Sequence, residues 1–302
     1  MTLHQLKYVI EVAKSGSMNE AAKKLFITQP SLSGSIRELE EEAGIQLFTR
    51  TSRGIQITPE GSEFLGYARQ VMEQYELMED RYIYKREQKK KFGVSMQHYS
   101  FAVKAFIEMV QQFGMDEYEF AVRETRTGEV IKDVREFRSE LGILYMNDFN
   151  RKVLTKLISE DGLEFTPLFP CRTYVYLWKG HPLASEPVIR LEQLKDYPCL
   201  SFEQGDVNSF YFAEEVLSTY EYPRMIKAND RATMLNLMIG LNGYTLCSGI
   251  ISEELNGNEY LAIPLDSDEI MMIGYVSRKG MAVSPLGKKY LEELKKCYRK
   301  NL

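Results

Sequence analysis

Over residues 1–58 the apolar positions keep a helical spacing and then switch to a strand-like one. Leu6, Ile10 and Ala13 recur at 4,3 intervals and mark one face of a first helix. Ser15-Gly16-Ser17 interrupts it. Ser17 with Glu20 fits a capping box, the serine accepting from the Glu20 amide while the glutamate reaches back. Ala21, Ala22 and Leu25 give the second helix a face of small residues that another helix can approach closely. Phe26-Ile27-Thr28 reads as a short turn, and Thr28 caps a third helix that tolerates Pro30 in its first turn. Leu32, Ile36 and Leu39 form its buried stripe. At ~100° per residue, Pro30, Gly34 and Arg37 point away from that stripe, flanked by Ser31 and Ser33. The run Ile45 to Arg50, the turn Thr51-Ser52-Arg53-Gly54 and the alternation Ile55-Gln56-Ile57 then read as a β-hairpin.

Thr58, Pro59 and Glu60 form a helix start, and the pattern continues as one long helix over 59–90. Phe64, Ala68, Val71, Tyr75, Met78 and Tyr82 repeat at 4,3,4,3,4, a heptad seam. A helix of ~40–45 Å outreaches the small domain before it. The seam therefore suits pairing with a second copy better than packing on its own domain. Arg86, Lys89, Lys90 and Lys91 close this zone as a solvated hinge.

Residues 91–302 alternate strand-like and helix-like runs. Strands are expected at 92–96, 118–124 and 141–146, with a helix around Phe101, Ala105 and Met109 and another from Glu129 to Phe137. This βαβαβ order predicts a parallel sheet. A second unit starts near Phe165 and holds strands at 173–177 and 199–202, with a helix opening at Asn208-Ser209. Pro285 to Leu302 reads as a closing amphipathic helix.

Composition adds little to this picture. Of 302 residues, 44% are apolar and 27% charged, with a net charge of −5. A DNA-binding protein needs only a local basic face, so the acidic balance decides nothing. No apolar run is long enough to span a membrane, and Met1 to Glu11 does not read as a signal peptide, so a cytoplasmic protein is expected. Cys171, Cys199, Cys247 and Cys297 show no metal-ligand spacing and read as ordinary reduced thiols. No GxSxG, P-loop, GxGxxG or HExxH motif occurs, and none of the three histidines lies near a Cys or Asp partner in sequence. An enzyme is not expected, nor a cofactor or metal.

The outward face of the third helix carries small and polar groups and one cation, as entry into a major groove requires. A merely solvated face would look similar, and a surface hairpin could carry Arg50 and Arg53 by chance. The short turn and the capped helix before it favour a helix-turn-helix with a wing.

From Ala21-Ala22-Lys23-Lys24-Leu25 through Thr28-Gln29-Pro30-Ser31-Leu32-Ser33, Ile36-Arg37-Glu38-Leu39-Glu40, Gly44-Ile45-Gln46-Leu47-Phe48, Arg50, Arg53 and Thr58-Pro59-Glu60-Gly61, the sequence resembles the LysR-type transcriptional regulators. The match in order and spacing covers the whole N-terminal domain, and length and the α/β remainder fit as well. The resemblance implies a fold of α+β and α/β type: a winged helix-turn-helix (1–58), a linker helix for dimerisation (59–90) and a two-subdomain α/β effector domain like a periplasmic binding protein (91–302). Its first subdomain would span 91–164 and 266–302, and its second 165–265. It further implies a homodimer, commonly a homotetramer, on a pseudo-palindromic, AT-rich operator in double-stranded DNA, with RNA polymerase as a further partner and no membrane. By this resemblance Thr28, Gln29, Pro30, Ser31, Ser33, Gly34 and Arg37 meet the major groove, while Arg50 and Arg53 of the wing meet phosphates or the minor groove. Position 34 is often arginine in that family and is glycine here.

A small metabolite is expected at the carboxyl ends of strands, against helix N-termini. Strand-end logic nominates Gln97, His98, Ser100, Thr125, Asn147, Gln204 and Asn229. Ser100, Thr125 and Asn229 suit helix caps equally well, and a lone histidine such as His98 is as readily a satisfied core or surface residue. Arg126 and Arg231 are the arginines near strand ends.

Overall fold

The computed structural model describes residues 1–51, 54–83, 89–114, 117–205 and 209–299. The chain divides into two compact units, Met1–Gln88 and Lys89–Leu302.

The first unit holds α1 (Leu3–Ser15), α2 (Met18–Lys24), α3 (Gln29–Ala43), β1 (Phe48–Thr51), β2 (Gly54–Ile57) and α4 (Pro59–Tyr82). The capping box lies on α1, where Thr2 and Gln5 hydrogen-bond reciprocally. Ser17 does stand at the N-cap of α2, yet its side chain makes no cap hydrogen bond. Glu20, exposed one turn from Lys23, pairs with that ammonium at 2.8 Å instead of reaching back. Thr28 caps α3 and Thr58 caps α4, each accepting from the amide three residues on. Gly16 and Gly44, at φ 64° and 68°, end α1 and α3 in the left-handed region. Val9, Val12, Ala21, Ala22, Leu32, Ile36, Leu39, Leu47, Phe48 and Leu65 form the core. Gly61 lets α4 begin against the hairpin base, since a Cβ there would overlap the Leu47 carbonyl. β1 and β2 pair antiparallel from Phe48↔Ile57 to Thr51↔Gly54.

The expected helix over 59–90 is too long. α4 ends at Tyr82, and Lys90 and Lys91 open a strand, β3 (Lys90–Met96). Pairing with β4 (Tyr118–Glu124), in the register Lys90↔Tyr118 and Lys91↔Glu119, draws them into the sheet. This long-range pairing overrides the helical pattern.

The second unit continues with α5 (Ser100–Gln111) between β3 and β4, then α6 (Thr127–Arg135), β5 (Leu141–Met146), α7 (Arg151–Glu160) and β6 (Leu163–Arg172). Next come β7 (Tyr174–Trp178), β8 (Cys199–Phe202), β9 (Met225–Ala228), α8 (Arg231–Leu241), β10 (Thr245–Cys247), α9 (Glu253–Asn256), β11 (Tyr260–Pro264), β12 (Ile270–Arg278) and α10 (Pro285–Arg299). The larger sheet has the order β4-β3-β5-β12-β6. β3 runs parallel to β4 and β5, as the βαβαβ pattern predicts, but β12 returns antiparallel to both β5 and β6. The smaller sheet, β10-β7-β11, is antiparallel, and β8 pairs with β9 in parallel.

Two expectations change here. Residues 165–172 belong to the first half, because β6 pairs with β12 along its length, from Leu163↔Arg278 to Ile270↔Arg172. The crossing therefore falls at Thr173. Asn208 lies outside the described residues, and Ser209 precedes a single 3-10 turn, Phe210–Phe212, rather than a helix. The returning crossing, 265–269, lies beside the first: Leu265 N–H donates to the Thr173 carbonyl at 3.0 Å, and Thr173 Oγ1 donates to the Glu269 carbonyl at 3.0 Å.

Candidate functional site

The first unit presents a polar helix face and the second a cavity. On α3 the buried stripe of Leu32, Ile36 and Leu39 turns Pro30, Ser31, Gly34 and Arg37 outward. Gln29 and Ser33 are half-buried and bonded to each other, Nε2 donating to Oγ at 2.6 Å. Thr28 is exposed, its hydroxyl 2.8 Å from that of Ser31. Arg37 Nε donates to Glu41 at 2.8 Å in an exposed pair, the kind that holds weakly in water. A Cβ at Gly34 would meet nothing within 4 Å. Arg50 sits on β1 with its side chain outside the described residues, and Arg53 lies outside them altogether. The turn before α3 holds a feature the sequence pattern did not flag: Phe26 takes φ 55° and is 95% exposed.

The heptad positions of α4 divide. Ala68 is buried, and Phe64 packs on the core of its own unit, beside α1. Tyr75 is half-buried, while Val71, Met78 and Tyr82 are exposed.

In the second unit a cavity opens between the two halves. From the first half come His98 and Ser100, where β3 meets α5. The second half supplies Tyr176, Phe202, Glu214, Glu215 and Arg231, with Thr245 on β10 and Ser248 just after it. Met234, Leu235, Met238, Leu246, Ile250 and Ile251 make most of the wall apolar. The His98 ring stacks on Phe202 at 3.8 Å between centroids, and its Nδ1 donates to Glu214 at 2.9 Å. The His98 main-chain N–H also donates to Glu214, at 2.8 Å. Burial and the neighbouring Glu214 push the Glu215 carboxyl up to about 8. Its Oε1 accepts from Phe202 N–H at 2.9 Å. Arg231 pairs with Glu124. Burial lowers the Arg231 pKa and raises that of Glu124, each opposed by the charge of the other. Thr245 is 6% exposed, and its hydroxyl finds no hydrogen-bond partner among the described residues.

Of the seven nominated residues, His98 and Ser100 line this cavity and five do not. Gln97 is buried behind the wall, donating to Thr127 Oγ1 and accepting from Tyr99 OH and Tyr145 N–H. Thr125 closes the end of β4 by donating its N–H to the Met96 carbonyl. Asn147 and Asn150 bond reciprocally ahead of α7, and Asn147 donates to Glu269. Asn229 is exposed. Gln204 lies at the junction of the halves, accepting from Thr127 N–H at 3.1 Å and donating to Glu214 at 3.0 Å. The sequence reading missed Glu214 and Glu215. Their one signal was an adjacent acidic pair set between Phe212-Ala213 and Val216-Leu217.

Burial pushes the thiols of Cys171, Cys199 and Cys247 up to about 12, so they stay protonated at neutral pH. Among the described residues no group of three His, Cys, Asp or Glu could hold a metal ion, and no helix is long and apolar enough to cross a membrane.

Comparison with known proteins fits both units. Residues 3–62 match the domain described as "Bacterial regulatory helix-turn-helix protein, lysR family", and residues 100–297 match the "LysR substrate binding domain". The chain belongs to the LysR family. It is a DNA-binding transcriptional regulator with an effector-binding domain, and the LysR family is one of regulators, not enzymes. The regulator YbhD of Escherichia coli is 24% identical over 297 residues, 95% of this chain and 89% of that one. AlsR of Bacillus subtilis is 28% identical over 208 residues, 67% of this chain and 64% of that one. BenM of Acinetobacter baylyi is 50% identical over a 68-residue stretch, 22% of each chain. Among solved structures, a full-length OxyR variant from Pseudomonas aeruginosa shares the fold at a TM-score of 0.62 and 18% identity, covering 99% of this chain and 95% of that one. The LysR-family regulator CbnR does so at 0.57 and 18%, covering 98% and 99%. LysR regulators act on DNA as oligomers.

Proposed function

We propose that this LysR regulator reads a pseudo-palindromic operator through α3 and the wing, and that a small effector held between the halves of its second unit changes how it does so. Thr28, Gln29, Pro30, Ser31, Ser33, Gly34 and Arg37 enter the major groove. Arg50 and Arg53 meet phosphates or the narrow minor groove. Two copies pair along α4 through Val71, Tyr75, Met78 and Tyr82, fixing the half-site spacing. Two such dimers form a tetramer, and RNA polymerase is the partner through which transcription responds. The protein acts in the bacterial cytoplasm, where its DNA is. The effector is bound and released unchanged, biasing the arrangement of the oligomer.

One observation carries the effector half of this reading: the cavity between the halves, apolar along most of its wall with a few polar and charged groups set into it, the make-up usual for small-molecule sites. The outward face of α3, polar and uncrowded, supports the DNA half. The test is selection of bound fragments from the native genome, followed by binding titrations on a selected fragment. The selected fragments are expected to share an inverted repeat, with affinity falling steeply as salt rises. A variant carrying Arg37→Ala and Arg53→Ala is expected to bind more weakly, with a salt dependence shallower by ~1 for each phosphate that it no longer meets. Unchanged binding by that variant overturns the assigned face.

A further inference from the structure

The chemistry of the cleft narrows the class of ligand it accepts, on the reading that the cleft is the effector site. In an open α/β sheet, an anionic ligand is held at the N-termini of helices that follow the strands. Two such termini, those of α5 and α6, lie where the halves meet, and beside each the chain's own side chains already accept from a main-chain N–H. Just ahead of α5 the Glu214 carboxylate accepts from the His98 main-chain N–H at 2.8 Å and from the ring at 2.9 Å, and it is 3% exposed. At α6 the Gln204 carbonyl oxygen accepts from Thr127 N–H at 3.1 Å. The arginines of the region are engaged as well. Arg231, in the cavity wall, pairs with Glu124, and Arg126 lies 3.6 Å from Glu203. A ligand carboxylate would therefore meet Glu214 and Glu215 with no uncommitted cation among the described lining residues. Charge buried without a partner is costly.

The rest of the wall asks for a different molecule. Met234, Leu235, Met238 and Ile250 offer apolar surface, and the Thr245 hydroxyl in the same wall lacks a partner among the described residues. Buried polar groups are ordinarily hydrogen-bonded, so an orphan in a cavity wall marks where a ligand's polar atom belongs. We propose that the effector is an uncharged amphipathic molecule whose apolar body lies against Met234, Leu235, Met238 and Ile250, and whose hydroxyl or amide head hydrogen-bonds to Thr245. Glu214 takes the place that a ligand carboxylate would otherwise occupy.

The test uses the full-length protein and matched probes with hexyl, octyl or phenylethyl bodies, each as alcohol, primary amide, amine and carboxylate. Melting shifts and calorimetry report binding, since a ligand of the folded state raises the midpoint by mass action. Alcohols or amides of at least one body are expected to bind at least about tenfold more tightly than the matching carboxylate and amine. Thr245→Val is expected to weaken them about tenfold without lowering the melting point of the free protein. Met238→Trp, which fills the cavity, is expected to abolish binding. A carboxylate or amine that binds best and is lost in Met238→Trp overturns the uncharged class while leaving the cleft as the site. Alcohol binding unchanged in Thr245→Val overturns the head assignment. Binding that survives Met238→Trp, or no binding by any probe, removes the cleft reading and the uncharged class with it.

Discussion

Glu215 lies at 7% exposure beside Glu214, and burial outweighs the amide hydrogen bond that would favour its ionised form. Below about pH 4.5 the carboxyl holds its proton in both folded and unfolded chains. Between there and about pH 8 the unfolded chain releases the proton while the folded chain keeps it, so stability falls as pH rises. The slope reaches at most about 1.4 kcal/mol per pH unit and levels off above the folded value. Glu215→Gln is expected to remove this slope. Urea midpoints for both proteins between pH 5 and 8.5 check it, the two curves diverging as pH rises. Gly34 offers a second residue-scale outcome. It sits inside α3, and a Cβ added there would have no neighbour within 4 Å, so Gly34→Ala is expected to stabilise by about 0.5–1 kcal/mol through helix propensity. Thermal melting measures that gain.

At the scale of elements, α4 serves two tasks along its length. Its first turns, with Leu65 and Ala68 buried, anchor the helix to its own unit, while Val71 and Met78 stay exposed further on. Val71→Asp with Met78→Asp is expected to weaken self-association by about 3 kcal/mol, roughly a hundredfold, since two apolar side chains lose their burial. Sedimentation reads the shift, and an unchanged helical spectrum shows that the unit remains folded. The legibility of the chain follows the same division between local and distant causes. Thr28 and Thr58 were readable as caps because a cap needs only the amide three residues on. The strands at 118–124 and 141–146 were readable from composition and alternation. Ser17 was misread because Lys23 competes for Glu20. β6 was placed in the wrong half because only its pairing with β12, about a hundred residues on, assigns it. The cavity was least legible. Its acidic pair comes from an irregular stretch and its apolar wall from α8 and β10, which the sequence places far from His98.

At the scale of the whole second unit, the halves share an apolar core and are joined further by directed bonds at the cleft. Thr127 Oγ1 donates to the Phe212 carbonyl at 2.7 Å, Tyr145 OH donates to the Glu215 carbonyl at 3.0 Å, and Glu214 holds His98. Thr127→Val removes the first of these and the bond from Gln97, at a cost of about 1–3 kcal/mol for each buried partner left unsatisfied. Amide hydrogen exchange over 209–217 is expected to accelerate in this variant, while exchange in β5 and β12 stays slow.

The two passages of the chain between the halves, at Thr173 and at 265–269, are stitched side by side. Both strands of the connection thus pass through one small patch of backbone, so any turning of one half against the other would have to be absorbed by the peptide units of that patch.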